Sequence, residues 1–322
     1  MCIRDRYRRS QGHRIVVQTA LSTPLKNKKA IAATAANLKI QNVLIVGDSG
    51  DAWLNPKSLV PTDYVLAKVN VKYGSDPVIA TDSPYADLDN DGVPELAIGR
   101  LPVDSPEELK AITRRIIQYE STTSGKWQRR INLIAGMGGF GALVDKVIEN
   151  TTKQILTDLV PPSFPTTMTY GSWTSPYCPD PSRFSDVAIE RFNEGCMFWV
   201  YMGHGRRHQL DKVWLPDRHV NILDTDIVSR LDCREGSPIA LCLSCYTGAH
   251  DSYSDCLAET MLRQPRGPIA VICGSRVTMP YAMSVMSVGM MDEYFRGKCE
   301  TLGQLMLNAK KRMVMVLSLI HI

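Results

Sequence analysis

Six near-continuous apolar runs punctuate the chain: NVLIVGD from Asn42, ELAIGRLPV from Glu95, INLIAGMG from Ile131, CMFWVYMG from Cys196, PIALCLSC from Pro238 and GPIAVICG from Gly267. Runs that are apolar at nearly every position, rather than every second one, suit strands buried on both faces, as in a parallel sheet covered by helices. FPTTMTYG from Phe164 predicts a further strand. Between these runs the pattern becomes helical. Ser105-Pro106-Glu107-Glu108 starts a helix with a capping serine, a proline in the first turn and a glutamate placed for a capping box. Leu109, Ile112 and Ile116 then form its apolar stripe. ALVDKVIENTTKQIL follows the strand at Ile131, and another helix runs from about Ser185 to Gly195, just before the strand that ends near His204.

The alternation predicts an α/β fold of mostly parallel sheets covered by helices. A soft boundary near STTSGKWQRR divides it into an N-terminal α/β subdomain over 7–125 and a second over 126–316. The proline-rich stretch TYGSWTSPYCPDPSR from Thr169 reads as an exposed loop. MCIRDR at the start and LSLIHI at the finish resemble translated adapter sequence, so 1–6 and 317–322 are set aside and the natural start is expected to lie upstream.

Composition narrows the class. The 322 residues are 44% apolar and 22% charged, as in a globular protein with a substantial core. The net charge of +4 is spread thinly, with no long run of like charges, so electrostatics does not suggest nucleic acid as a partner. No stretch has the ~18 uninterrupted apolar residues of a transmembrane segment. The nine cysteines do not fall into zinc-type pairs of pairs and read mostly as core residues.

Several motifs carry candidate chemistry. GDSG at Gly47–Gly50 resembles the nucleophile loop of trypsin-like proteases, but follows a parallel-type strand, where Asp48 and Ser49 are expected to form a turn. GMGGFG from Gly136 has the context of a dinucleotide-binding turn, yet the next strand lacks an acid for a ribose hydroxyl, which favours a plain glycine-rich turn. DLDNDGVPE places Asp87, Asp89 and Asp91 at alternate positions before Gly92. Three carboxylates and a carbonyl could converge there on calcium, although the twelfth position, a glutamate in an EF-hand, is Ile98. The other reading is a solvated turn.

His204 and Cys245 end two buried runs. In a parallel sheet both emerge at the carboxyl edge, where open α/β sheets hold their active sites. The 41 positions between them accommodate a loop and a crossover helix around NILDTDIVSRL. Cys242 and Cys245 differ by an odd step, so they are expected to face opposite sides. A histidine before the cysteine excludes the papain order and suits the caspase one.

These residues sit in a longer ordered series: LIVGD, TDSPYADLDNDGVPELAIGRLPV, SPEELKAITRRIIQYE, YMGHG, PIALCLSCYTG, CLAETML and GPIAVICGS. The series resembles the gingipain-like cysteine peptidases. The resemblance implies a caspase-like three-layer architecture in two subdomains and a cysteine endopeptidase. Cys245 would be the nucleophile, His204 its base, and Gly205 would supply a backbone N–H to the oxyanion. It also implies secretion or display at the cell surface, protein or peptide substrates and, in some members, calcium. Asp82 matches an acid that would favour arginine before the cut, or else is structural, bonding a turn. SRVTMPYAM from Ser275 lacks a tryptophan expected in an arginine pocket. Rival readings are an inactive caspase-fold binding protein, a thiol hydrolase acting on other bonds, and a nucleotide-binding protein using GMGGFG.

Overall fold

The computed structural model describes every residue except 1–2, 51–58, 123, 172–176, 178–179, 298 and 321–322. Seven of the fifteen residues of the proline-rich stretch from Thr169 are among the exceptions.

The first part of the chain contains α1 (Ile3–Ser10), α2 (Pro24–Leu38), β1 (Asn42–Val46), β2 (Asp63–Leu66), β3 (Val78–Thr81), β4 (Ala97–Leu101) and α3 (Pro106–Ser121). There follow β5 (Ile131–Ala135), α4 (Ala142–Gln154), β6 (Thr166–Tyr170), α5 (Phe184–Asn193) and β7 (Phe198–Met202). Two small ribbons come next: β8 (Gly205–Arg206) with β9 (Gln209–Leu210), and β10 (Lys212–Trp214) with β11 (His219–Asn221). The chain closes with β12 (Ile239–Leu243), α6 (Leu257–Arg263), β13 (Ala270–Cys273), α7 (Pro280–Phe295) and α8 (Leu302–Ile320).

All six apolar runs, and FPTTMTYG as well, form strands. The capping serine also acts as expected: Ser105 Oγ accepts from Glu108 N at 3.2 Å, and Asp104 N donates back to the Glu108 carboxylate at 2.9 Å. The segment around NILDTDIVSRL is different from expectation. It forms no crossover helix but one 3₁₀ turn, Val228–Arg230, because Asp224 accepts from the N–H groups of Asp226 and Ile227, each at 3.0 Å. A short acidic side chain that bonds its own downstream backbone favours a turn over a helix interior.

The main sheet is wholly parallel, in the order β13-β12-β7-β5-β6. Strand order therefore reverses between β5 and β7, and the crevice outside the carboxyl ends at such a reversal is where open sheets bind ligands. Side chains alternate between two covered faces. Trp199, Tyr201 and Cys242 pack with Phe184, Phe192, Leu257 and Met261 of α5 and α6 on one face. Phe198, Val200, Leu241 and Leu243 pack with Met290, Met291 and Leu305 of α7 and α8 on the other. Two layers of helix thus enclose the sheet, which is the three-layer α/β arrangement expected.

The smaller first part pairs β1 with β4 in parallel and β2 with β3 antiparallel. It is tied firmly to the main sheet. Arg263 Nε of α6 donates to Pro102 O at 2.8 Å, Arg115 of α3 donates to Pro268 O at 2.6 Å, and Lys310 of α8 reaches Ser83 Oγ at 2.9 Å. Among the described residues no helix is long and apolar enough to cross a membrane.

Candidate functional site

Strands β7 and β12 are parallel neighbours with Met202 opposite Leu243. His204 and Cys245 each lie two residues beyond that pair, so the register sets them level at the carboxyl edge, beside the reversal point. Cys245 opens into a cleft whose walls include Phe140, Met202, Gly203, Leu243, Thr278 and Met283. Cys242, three residues earlier, is fully buried on the opposite face of the sheet, and burial pushes its thiol far up. Of the two, only Cys245 is accessible from the cleft.

The sulfur of Cys245 accepts from Thr278 N at 3.4 Å and lies 3.6 Å from Thr278 Oγ1. The exposed imidazole of His204 stacks on Phe140, with centroids 3.9 Å apart. No hydrogen bond joins imidazole and sulfur here. Catalytic contacts commonly tighten only when substrate is bound.

The glycines flanking His204 are required for room. Neither takes a positive φ. A Cβ on Gly203 would lie 2.4 Å from the Tyr201 hydroxyl, and one on Gly205 would lie 2.7 Å from Ser244 Cβ and 2.8 Å from Cys245 O. Gly203 makes space for a buried tyrosine. Gly205 brings the backbone after His204 against the backbone at the nucleophile.

The turn GMGGFG also finds its place. Gly138, Gly139 and Gly141 have φ of 71°, 88° and 102°, values that favour glycine, and they carry the Phe140 ring onto His204. Asp145, in the first turn of α4, accepts from Phe140 N at 3.2 Å.

Asp82 lies elsewhere. Arg100 grips its carboxylate through two hydrogen bonds of 2.8 and 2.7 Å, and Thr62 Oγ1 adds a third at 2.9 Å. Burial would raise its pKa, but the Arg100 bonds and charge prevail and hold it below the ordinary value. Of the two readings of Asp82, this geometry favours the structural one. Arg207 is also occupied, pairing with Asp76 at 2.9 Å and lying over the Tyr246 ring.

In the acidic loop, the carboxylates of Asp87, Asp89 and Asp91 converge with that of Glu95, all within 4.8 Å of one another. Asp87 is buried and accepts from Asn90 N at 2.8 Å and Gly92 N at 3.2 Å. Four clustered oxygen donors fit a hard cation such as calcium. Asp48 is buried at its turn, accepting from Ser49 N at 2.6 Å, and Ser49 Oγ donates to His250 O, so the GDSG serine has no nucleophile's setting.

Sequence reasoning missed Phe140, Asp145, Thr278 and Tyr201. Only Phe140 had a signal, an aromatic side chain inside a glycine-rich turn beside the strand-order reversal.

The model of peptidase family C25 matches residues 8–320. Gingipain R2 of Porphyromonas gingivalis is 27% identical over 264 residues, which are 78% of this chain and 30% of that protein. Gingipain R1 is likewise 27% identical, across 23% of its length. The chain therefore spans less than a third of the curated relatives it matches. Among solved structures, the Arg-specific cysteine proteinase gingipain R superposes with a TM-score of 0.67 at 22% identity, covering 91% of this chain and 63% of that one. A complex of gingipain pro- and mature domains gives the same TM-score and identity.

Proposed function

The chain belongs to peptidase family C25, the gingipain-like cysteine peptidases, and from that premise we propose that it hydrolyses peptide bonds within proteins through Cys245 and His204. One observation supports this reading: β7 and β12 are parallel neighbours whose carboxyl ends lead to His204 and to Cys245, and Cys245 lines a cleft at that edge. His204 takes the Cys245 proton, and the thiolate attacks the substrate carbonyl. The N–H groups of Gly205 and Cys245 receive the developing oxyanion, a contribution of about 3 kcal/mol per donor. His204 returns the proton to the leaving amine, and water then hydrolyses the thioester.

We further propose that the residue before the cut is basic. One solved neighbour is described as Arg-specific. Ile148 and Thr151 of α4 line the cleft, and Asp145, three positions before Ile148, shares their face of the helix. This reading makes Asp145 the recognising acid and leaves Asp82 to its pair with Arg100. The site at Asp87, Asp89, Asp91 and Glu95 would hold structural calcium, and the enzyme would act outside the cell or at its surface.

The test is a peptidyl chloromethyl ketone ending in arginine, which loses chloride as its methylene carbon bonds to sulfur. It should alkylate Cys245 in the wild type, fail on Cys245→Ala and slow sharply on His204→Ala. Labelling indifferent to His204 would indicate a merely accessible thiol, as in an inactive binding protein. Labelling without cleavage of any peptide would favour a thiol hydrolase of another bond.

A further inference from the structure

Tyr201 is fully buried at the penultimate position of β7, on the face opposite the cleft. Its hydroxyl donates to the carbonyl of His204 at 2.8 Å and accepts from Asp211 N at 3.1 Å. Both hydrogen-bonding roles are thus filled, and burial together with the nearby Asp211 charge pushes the phenol well above its ordinary value, so it stays a donor. Space is reserved for it. A Cβ on Gly203 would lie 2.4 Å from the hydroxyl, and one on Gly136 would lie 2.9 Å from it.

The carbonyl of His204 and the N–H of Gly205 belong to one peptide unit. In a trans peptide they point in opposite directions, so pinning the carbonyl aims the N–H. The ribbon that follows leaves this N–H available. Arg206 and Gln209 flank its two-residue turn and form the hydrogen-bonded pair. Alternation along an antiparallel ladder then makes Gly205–Leu210 a pair whose N–H groups face outward. Leu210 N accordingly donates away from the ribbon, to Leu223 O at 2.8 Å. Gly205 meanwhile packs against the Ser244 side chain and the Cys245 carbonyl.

We infer that Tyr201 is a positioning residue for the oxyanion donor: its buried hydroxyl locks the 204–205 peptide so that the Gly205 N–H faces the carbonyl under attack. This rests on the peptidase reading and adds to it a residue that touches neither substrate nor sulfur.

The decisive variant is Tyr201→Phe, which deletes one oxygen. Its kcat should fall about tenfold with KM unchanged, a partial loss of the ~10²-fold worth of an oxyanion donor. A peptide aldehyde, whose thiohemiacetal oxygen sits where the oxyanion would, should bind about tenfold more weakly. Iodoacetamide creates no oxyanion, so it should alkylate Cys245 at the wild-type rate and with the wild-type pH profile. Aldehyde affinity within about twofold of wild type would overturn the inference, as would alkylation falling in step with kcat, which would mean general damage to the site. Should Tyr201→Phe fail to fold, Gly136→Ala crowds the same hydroxyl and must give the same split between aldehyde and iodoacetamide. If the wild type cleaves no peptide, the peptidase reading fails, while the aldehyde comparison still decides the role of Tyr201.

Discussion

The ring of Phe140 lies on the imidazole of His204, with centroids 3.9 Å apart and planes inclined by 29°. The contact covers one face of the imidazole and limits its rotation, leaving the nitrogens free at the ring edge. A stacked aromatic pair contributes about 1 kcal/mol, so losing it should cost about fivefold in rate. Phe140→Ala is therefore expected to lower kcat about fivefold with little change in melting temperature, since Phe140 lies at the cleft rather than in the core. Gly139→Ala should act in the same direction, because φ of 88° is strained for a residue with a Cβ and the turn would relax. Steady-state kinetics beside thermal melts would decide, and an unchanged kcat in both variants would reduce the stack to packing.

Two aspartates can be separated by what each substitution harms. Asp82 and Arg100 form a buried, bidentate pair, with side chains only 13% and 7% exposed. Removing one partner of such a pair strands the other charge and costs about 3 kcal/mol or more. Asp82→Ala should thus lower the melting temperature markedly while preserving the order of preference among peptides. Asp145→Ala should change little in stability and reduce cleavage after arginine relative to an uncharged residue by at least about tenfold. A peptide-library profile of both variants distinguishes them. Loss of arginine preference in Asp82→Ala alone would reverse the assignment.

What could be read from the sequence follows from which interactions are local. Strands buried on both faces declare themselves as unbroken apolar runs, and all six such runs form strands where expected. His204 and Cys245 could be paired because each ends such a run. The surroundings of the pair could not be read in this way. Thr278 meets Cys245 across 33 positions, and Tyr201 meets Asp211 across 10, contacts with no local signature. The purpose of Gly203 was equally hidden, since it depends on a hydroxyl from the preceding strand. Glu95 escaped notice because the EF-hand template looks to the twelfth position, whereas here the chain folds the ninth back onto the aspartates.

That acidic loop gives a prediction about stability. Asp87, Asp89, Asp91 and Glu95 bring four negative charges within 4.8 Å, and a divalent cation would offset their repulsion. Calcium at about a hundredfold over its dissociation constant would add about 2.7 kcal/mol, raising the melting temperature by about 5 °C. A chelator should reverse the rise, and Asp89→Ala should abolish it without altering the Cys245 alkylation rate. Identical melting curves with and without calcium would assign the loop to a solvated turn.

The last prediction concerns acidity rather than a ligand. Glu259 of α6 is 4% exposed; its Oε2 accepts from Cys256 N at 2.9 Å, and its Oε1 has no partner among the described residues. Burial foremost, and then the charge of Asp48, push its carboxyl from an ordinary 4.5 up to about 8. Asp104 and Asp255, which with Asp48 converge around Arg263, are raised as well, burial outweighing the attraction of that guanidinium. Between 4.5 and about 8 the folded chain keeps a proton on Glu259 that the unfolded chain has released. Folding stability should therefore fall as pH rises across this window and level off above it. Glu259→Gln cannot titrate and retains a group able to donate toward Asp48. It should flatten the slope and melt above the wild type near the alkaline end, with little difference near the acid end. Thermal melts of both proteins from about pH 5 to about pH 9 measure this directly. A slope that survives intact in Glu259→Gln would place the proton on another group.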